Sequence, residues 1–560
     1  MFLIQIGTGY CDFFYLCTRN FQKTENTQLK NYYSMKKFLF TVMALACMNS
    51  YAQNALSDEL AFRLKNEAFA NSKMEELAEF MTDELGSRLA ASQQKLRSEK
   101  LVVEKLKELG FSNARVEKAA DFTKGGWDSQ KNYVAMTAPY YCSFAANPKA
   151  WTGSTNGLVK GEVIVVNTPQ TEAELEALKG TLKGKIILNP VTQQYNVSFE
   201  PLAFRYTDEE LAAMETDARP GRHNYRRVQA GGAGAYAMPS REQMMKQREL
   251  QQKFQKMLKD EGVLAVISTR GTFNVTSGSG AQYKVGDPEP LPEFYLPLED
   301  GGRMYRLIKR GEKVEMELEL KNVFTDNQQI NNVYAEIPGT DPKLKDEIIL
   351  IGAHLDSWHG GTGGADNSSG CVVMMEALRI IKELGVSPRR TIRIALWGGE
   401  EQGLYGSRGY LQNYLYDAQK GKKLPGYDKF ALYLNMDNGS GRFRGIYLEQ
   451  NDLAVPYFQA WKKGIETLGF KTLSPRTTGS TDHVTFDRVG LPAFQFIQDE
   501  LEYDRTYHTN MDTFERLSLD DLKLDAAMVA WIALSAANDN GRVPVKPGYP
   551  KPAQQGGRPF

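Results

Sequence analysis

The pattern of apolar and polar residues changes twice along the chain. From residue 57 to residue 110, apolar positions recur at the spacing of helices. The stretch LGFSNARVEKA then predicts a helix end followed by a strand. From about Leu158 the runs become short and β-branched, with glycine, proline or asparagine at their ends; they include GEVIVVN, GKIILNP, GVLAVIST and KVEMELELK. This part is predicted to be rich in β-strands.

From Val333 onwards, predicted strands alternate with predicted helices. The strands are EIILIGAHL, RTIRIALWG, FALYLNMD, GIYLEQ and PAFQFIQ, and the helices lie near 369–384, 403–415, 453–468 and 519–538. Apolar strands between helices favour a sheet that is covered on both faces. The predicted fold class is therefore α/β, with a mixed, largely parallel sheet flanked by helices and an inserted β-rich domain.

The length of the chain, 560 residues, exceeds what one hydrophobic core normally covers. We predict an α/β domain in two parts with the β-rich insertion between them. A charged helical excursion within the insertion is expected to be solvated. The predicted boundaries are 1–52 for an upstream extension and signal peptide, 53–150 and 326–540 for the α/β domain, 151–325 for the insertion, 207–262 for the excursion, and 541–560 for a disordered tail rich in proline and glycine.

The segment MKKFLFTVMALACMNSYAQ resembles a secretory signal that begins near Met35 and is cleaved after Ala52. Two lysines precede an apolar run that is too short to span a membrane. A buried N-terminal helix is the alternative interpretation. The signal predicts a secreted or periplasmic protein without a membrane span.

Composition and charge exclude several classes of partner. Hydrophobic residues make up 42% of the chain and aromatic residues 11%, which is typical of a globular protein. Lysine plus arginine and aspartate plus glutamate both number 68, so no charge excess favours a nucleic acid or an anionic membrane. Cys142 and Cys371 lie after the signal; they could pair, but two cysteines are more often buried unpaired. A homodimer is compatible with the sequence.

Polar residues follow the predicted strands at their carboxyl ends, where the functional crevice of an open α/β sheet lies. Several carboxylates buried together would repel one another unless cations neutralise them. Two histidines with three carboxylates, one of them bridging, suit a pair of zinc ions that share a water molecule. The candidate ligands are His354, Asp366, Glu401, Asp437 and His508.

Three further residue groups are assigned from their position around these ligands. The glycines of GGTGGAD allow a tight turn that returns Asp366 towards His354, whereas a phosphate loop would need the motif GxxxxGK[ST]. Glu400, beside Glu401, is a candidate general base, although spacing alone leaves open which of the two glutamates is the base. Asp356 is placed to hold the imidazole of His354, and capping of a turn is its alternative role.

The motifs GAHLDSW, GADNSSG, LWGGEEQGLYGS, LNMD and YHT resemble those of the co-catalytic di-zinc exopeptidases, which include bacterial zinc aminopeptidases and carboxypeptidase Q-like proteins. The resemblance to the latter extends to DELGSRLAAS and to the last helix, and covers most of the chain after the signal. It implies a secreted exopeptidase that acts on short peptides or dipeptides. It also implies that the β-rich insertion is a protease-associated domain.

The resemblance also implies roles for single residues. His354 and Asp437 would bind one Zn²⁺, Glu401 and His508 the second, with Asp366 bridging both and its peptide bond to Asn367 cis. Glu400 would be the general base. Tyr507 matches a tyrosine that stabilises the tetrahedral intermediate in some relatives, although carboxypeptidase Q has histidine there.

Substrate contacts and specificity stay open. His483, in the segment TDHVTF, is a candidate for substrate binding, with local capping by Asp482 as the alternative. A carboxypeptidase needs a cation for the terminal carboxylate, and Arg476, Arg488 and Arg505 lie near the motifs. Two other classes of function remain: an acyltransferase resembling glutaminyl cyclase, with one zinc ion, and a receptor-like relative without catalysis.

Overall fold

A computed structural model describes residues 58–197, 199, 201–216 and 240–550. The predicted signal peptide and the last ten residues lie outside this described part. Within it, the strands form two eight-stranded sheets and one short hairpin, Tyr416–Asp417 with Lys422–Lys423. We call the eight-stranded sheet that contains the strand Ile348–His354 the main sheet and the other eight-stranded sheet the second sheet.

The main sheet is parallel at its centre and mixed at its edges. In spatial order its strands are Arg115–Asp121, Gln329–Ile337, Thr391–Trp397, Ile348–His354, Phe430–Asn435, Ala493–Gln498, Phe443–Tyr447 and Thr472–Ser474. The strand that ends at His354 lies parallel to both of its neighbours. All but one of its residues are buried, as expected for a strand covered on both faces. The predicted α/β class is confirmed.

Of the four helices predicted after Val333, those at Ser369 and Leu519 begin at the expected residues, and the other two begin two residues later, at Tyr405 and Val455. Residues 58–70 are helical. The other α-helices are Met74–Glu79, Gln93–Glu108, Glu172–Ala177, Asp208–Thr216, Arg241–Asp260, Leu298–Lys309, Ser369–Glu383, Tyr405–Tyr410, Val455–Trp461, His483–Asp487, Tyr503–Thr506 and Leu519–Asn538. The Ser92 hydroxyl caps the helix at Gln93 by accepting from the amide of Lys95.

The second sheet is inserted between the first two strands of the main sheet along the chain. In spatial order its strands are Cys142–Ser143, Gly126–Ala138, Glu315–Thr325, Val159–Val165, Ile186–Leu188, Ala265–Thr269, Glu293–Leu296 and Asn147–Pro148. It has its own buried core, which includes Val163, Ile267 and Leu318. The first long strand begins at Gly126, before the predicted boundary at residue 151. Its identity as a protease-associated domain stays a prediction.

The excursion at 207–262 was expected to be solvated; most residues of its described helices are exposed, and one face of each helix packs against a sheet. On the helix Arg241–Asp260, Leu250, Phe254 and Leu258 recur at helical spacing and pack against Val266 of the second sheet. The other described helix, Asp208–Thr216, packs against the main sheet. The charged residues therefore cover only one face of each helix.

Before the helix Asp208–Thr216, the chain crosses from the second sheet to the edge of the main sheet. Leu211 and Met214 pack against Tyr447 and Ile497, which belong to main-sheet strands. The Ser474 hydroxyl donates to the carbonyl of Met214 at 2.8 Å. The excursion thus ties together the two sheets.

Residues 541–550 differ from the disordered tail that the sequence predicted. Val543 is buried, and the Lys546 ammonium pairs with the carboxylate of Asp487. The carbonyl of Pro544 accepts from the Asn451 side chain at 3.1 Å.

Among the described residues, no helix is both long and apolar enough to cross a membrane.

Candidate metal centre

The predicted ligands meet at the carboxyl ends of three neighbouring strands of the main sheet. His354 closes the central strand, Asp437 follows the strand Phe430–Asn435, and Glu401 follows the strand Thr391–Trp397. His354 Nε2 lies 3.0 Å from Asp366 Oδ1 and 3.3 Å from Asp437 Oδ1. The strand ends therefore bring these side chains together, as expected for this fold.

Asp366 lies between the two histidines. Its Oδ1 faces His354, and its Oδ2 lies 3.1 Å from His508 Nε2. His508 Nε2 also lies 2.8 Å from Glu401 Oε2. One carboxylate thus connects two groups of side chains, His354 with Asp437 and His508 with Glu401.

The donor atoms of this centre fit divalent metal ions. The side chains of Asp366 and Glu401 are only 4% and 3% exposed. Asp366 Oδ2, Glu401 Oε1 and His508 Nε2 are buried, and none of them makes a hydrogen bond with another of the described residues. Buried polar atoms normally have partners, so these three atoms are suited to coordinate a cation. Imidazole nitrogen with carboxylate oxygen is a donor set that zinc accepts.

The main chain fixes the tautomer of His354. Its Nδ1–H donates to the carbonyl oxygen of Asp356 at 2.9 Å, which leaves the lone pair of Nε2 directed at Asp366 and Asp437. The Asp356 carboxylate was expected to hold this ring, but its nearer oxygen is 3.8 Å away. That expectation is wrong for the side chain, and the backbone performs the task.

The carboxylate of Asp356 instead holds the two glutamates. It accepts from the amide of Glu400 at 3.1 Å and from that of Glu401 at 3.2 Å. The turn after strand Thr391–Trp397 is thereby fixed, with Glu401 facing His508 and Glu400 close to His354 and Asp437. Burial, together with the charges of Asp437 and other nearby carboxylates, raises the pKa of Glu400 well above its ordinary value in the metal-free protein.

The glycine-rich turn brings Asp366 back to His354 as the sequence predicts. Gly363 has a φ of +61°, and a Cβ there would meet the side chain of Ser357. The Asp366–Asn367 peptide bond is cis, as the resemblance implies. Cys371 is buried and unpaired, like the half-buried Cys142, so the described cysteines form no disulfide.

Arg88 holds the glycine-rich turn in place through hydrogen bonds, and it was not identified from the sequence. Its guanidinium is buried and donates to the carbonyl groups of Leu355 and Thr362, both at 2.7 Å, and to the hydroxyl of Ser368 at 2.9 Å. An arginine within the apolar motif DELGSRLAAS was the available signal. Five fixed N–H donors let arginine hold several parts of one loop together.

Asp512 holds the main chain at Asp366, and it too was not identified from the sequence. Its carboxylate accepts from the amide of Ala365 at 2.6 Å and from that of Asp366 at 3.1 Å. Burial and the charge of Asp366 raise the pKa of Asp512 to about 7. It lies in the segment RTYHTNMDT, close to His508 along the chain, which was the available signal.

Tyr507 lies beside the ligands. Its ring stacks on that of His508 with a centroid separation of 3.5 Å. Burial and the charges of Asp366 and Glu401 raise the pKa of the phenol well above its ordinary range, so the hydroxyl keeps its proton. The hydroxyl can therefore donate a hydrogen bond.

His483 lies away from solvent, in contrast to the expectation that it contacts substrate. The residue is fully buried, and its Nε2 is 3.3 Å from Glu449 Oε1, which is also buried. Asp482 does not cap the helix His483–Asp487 with its side chain, so the alternative role is not observed either. The pair of His483 and Glu449 belongs to the interior of the α/β domain.

A cavity of about 810 Å³ lies next to the turn that bears Glu401. Gln402 and Gly403 line it, together with Arg408 and Arg488. Neither arginine forms a salt bridge with a carboxylate of the described residues, and the charge of Arg488 contributes, after burial, to a lowered pKa of Arg408. Of the arginines considered from the sequence, Arg488 thus lines a cavity, whereas Arg505 pairs with Glu502.

Comparisons with known proteins agree with this geometry. The model of "Peptidase family M28" matches residues 332–533, which include all five candidate ligands. Carboxypeptidase Q of Mus musculus is 28% identical over 284 residues, covering 50% of this chain and 58% of the relative. Aminopeptidase YwaD of Bacillus subtilis (strain 168) is 30% identical over 245 residues, covering 42% of this chain and 50% of the relative. The chain thus spans about half the length of the curated relatives it matches.

A solved structure shows the same fold over nearly the whole chain. The Peptidase M28 precursor from Shewanella amazonensis SB2B has a TM-score of 0.61 and 23% sequence identity. The alignment covers 88% of this chain and 99% of that chain. This similarity is one of fold. Residues 332–533 are thus similar to peptidase family M28.

Proposed function

We propose that the chain is a secreted zinc-dependent exopeptidase that hydrolyses a terminal peptide bond of short peptides or dipeptides. One observation carries the proposal: the two oxygens of Asp366 face different histidines, at 3.0 Å from His354 Nε2 and 3.1 Å from His508 Nε2. A carboxylate in this position can bridge two metal ions. The resemblance to carboxypeptidase Q and to bacterial aminopeptidases supports the reaction class.

In this proposal two Zn²⁺ ions bind to the centre. His354 and Asp437 would hold the first, Glu401 and His508 would hold the second, and Asp366 would contact both. When bound, the ions supply Lewis-acid polarisation of the scissile carbonyl and make water more acidic. Three carboxylates balance most of the metal charge, which accounts for their burial side by side.

The protein's own residues then move the proton. The Glu400 carboxylate accepts a proton from the attacking water and delivers it to the amine that leaves. Asp356 keeps Glu400 in place through the main-chain amide. The hydroxyl of Tyr507 donates a hydrogen bond to the oxygen of the tetrahedral intermediate.

The terminal specificity is proposed from the cavity beside Gln402. Arg408 and Arg488 line it without a carboxylate partner among the described residues. Arginine binds carboxylates in a two-pronged geometry, so these residues favour recognition of a free C-terminal carboxylate. Secretion is proposed from the signal sequence at Met35, which the structure does not describe.

The proposal is tested by cleavage of one dipeptide in three forms: free, N-acetylated and C-amidated. The free form should be cleaved, a metal chelator should abolish cleavage, and added Zn²⁺ should restore it. Loss on amidation alone indicates a carboxypeptidase, loss on acetylation alone an aminopeptidase, and loss on both a dipeptidase. Zinc analysis should give two ions per chain; a single ion together with cyclisation of N-terminal glutamine would instead indicate an acyltransferase.

A further inference from the structure

A loop of the second sheet reaches the candidate metal centre. Residues 274–278, which we call the contact loop, lie between strands Ala265–Thr269 and Glu293–Leu296. The loop runs beside the segment that carries His508. Thr276 and Thr509 form an isolated antiparallel bridge, so the two backbones pair directly.

Hydrogen bonds join the contact loop to the main chain on both sides of His508. The amide of Ser277 donates to the carbonyl of His508 itself at 2.8 Å. The amide of Val275 donates to the side-chain oxygen of Asn510 at 2.7 Å, and the amide of Asn510 donates back to the carbonyl of Val275 at 3.0 Å. The backbone around the histidine is therefore held by the second sheet.

Gly278 contacts the imidazole ring of His508. A Cβ built at Gly278 would lie 2.6 Å from His508 Nδ1 and 2.9 Å from its Cγ. Real Cβ atoms do not approach other atoms so closely, and Gly278 does not have the positive φ that favours glycine. Close approach to the ring is thus the reason for glycine here.

The contact loop is anchored to the second sheet at its other side. The side chain of Asn147 donates to the carbonyl of Val275 at 2.9 Å. Ala150 and Ala281 are joined by a backbone hydrogen bond of 2.8 Å just beyond the loop. The loop therefore has little freedom to move away from His508.

His508 depends on such support, because its own backbone has a φ of +55°. Residues other than glycine adopt this conformation only where neighbours hold it. Trp358 contacts the ring edge-on at a centroid distance of 5.9 Å, and Tyr507 stacks on it. Gly278 packs against the same ring from the second sheet.

We propose that the contact loop of the second sheet positions His508 as a metal ligand, with Gly278 as the positioning residue. The inserted domain would then contribute to metal affinity. This inference rests on the proposed two-metal centre. It assigns to the insertion a task in the α/β domain, through contacts between positions that are 230 residues apart in the sequence.

The test is Gly278→Ala in the full-length chain, measured by equilibrium dialysis against a series of buffered zinc concentrations. The added methyl group displaces the imidazole, so one of the two zinc equivalents should need at least about tenfold more free zinc, as is usual when a group that orients a metal ligand is changed. The other equivalent should bind as in the wild type. A wild-type isotherm for both ions would overturn the proposal.

Gly479→Ala is the matched control. Gly479 also lacks a positive φ, and a Cβ there would meet no atom within 4 Å. This variant should bind zinc as the wild type does. A loss equal to that of Gly278→Ala would mean that the zinc measurement does not report on His508, and would count against the proposal.

A second readout needs no metal. In chelator-treated protein, amide hydrogen exchange over residues 503–512 should be faster in Gly278→Ala than in the control. If Gly278→Ala does not fold, Asn274→Ala replaces it, since it removes only a side-chain hydrogen bond of 2.6 Å to the carbonyl of Arg505. Unchanged exchange would contradict the proposal. Wild-type protein that binds no zinc would contradict the proposed function instead.

Discussion

Glu400 and Glu401 are neighbours in sequence but have different surroundings. Glu401 lies 2.8 Å from His508, which is another of the candidate ligands. Glu400 instead lies close to His354 and Asp437, and the charges of both act on it. The sequence left the roles of the pair open, and these contacts favour Glu401 as the ligand and Glu400 as the base.

Glu400→Gln should therefore keep the metal and lose most of the activity. Glutamine has nearly the same shape as glutamate but cannot accept the proton, so kcat should fall by about 10²–10⁴-fold. Steady-state kinetics with a cleaved dipeptide and zinc analysis of the same preparation check both statements. Glu209→Gln, at an exposed position, is the control and should be fully active. A variant that retains most of its activity would exclude Glu400 as the base.

The helix Leu519–Asn538 carries a buried acidic side chain whose charged form is unfavourable. Asp525 lies on the helix Leu519–Asn538 and is fully buried. Its Oδ1 accepts from the amide of Phe443 at 2.7 Å, whereas its Oδ2 has no hydrogen bond. Burial and the charges of Asp521 and Asp499 raise the pKa of Asp525 well above its ordinary value. The folded protein thus prefers the neutral acid.

Asp525→Asn should stabilise the protein, and more so at neutral pH. A carboxyl group with a raised folded-state pKa supports the fold below its unfolded pKa of about 3.9, and this support is lost as the pH rises. Asparagine is neutral at every pH and can still accept from Phe443. The free energy of unfolding at pH 7 should rise by about 1–3 kcal/mol, with little change near pH 4.

Thermal or urea unfolding at the two pH values measures this difference for Asp525→Asn. Asp520→Asn, on the same helix with an exposed side chain, is the control and should change stability little at either pH. An equal effect of Asp525→Asn at pH 4 and pH 7 would show that charge is not its cause.

At the scale of the whole molecule, two of the connections between the two sheets are made by segments of the insertion. The contact loop joins the second sheet to the segment of His508, and the crossing segment before Asp208 lies on the edge of the main sheet. Arg205 in that segment pairs with Asp499 at 3.1 Å and with Asp521 at 2.7 Å. Both connections join segments of the insertion to the α/β domain.

Removal of metal should lower the stability of the whole protein. Without cations, the buried carboxylates of Asp366, Glu401 and Asp437 repel one another. A ligand that binds only the folded state adds about 2.7 kcal/mol per site when its free concentration exceeds Kd a hundredfold. Calorimetry with and without a chelator should show a lower Tm without metal, and added Zn²⁺ should restore it. An unchanged Tm would mean that no metal bound with appreciable affinity.

Much of the fold and of the ligand set followed from local sequence patterns. Helical spacing and β-branched runs report the period of an element, and the ends of parallel strands lie at one edge of a sheet. His354 ends a strand, and Glu401 and Asp437 follow strands within a few residues, so their meeting could be predicted. The positions of His508 and Asp366 beside these residues were predicted with the help of the resemblance to the di-zinc exopeptidases, because a loop precedes each of the two residues.

The sequence by itself determined the class of the fold, the order of its elements and which side chains form the candidate centre. Only the tertiary structure decided that the backbone of Asp356 orients His354, that His483 is buried with Glu449, and that Gly278 contacts His508. Each of these depends on the direction of a side chain or on segments far apart in sequence. Such contacts arise from packing the whole chain, and no local pattern of residues encodes them.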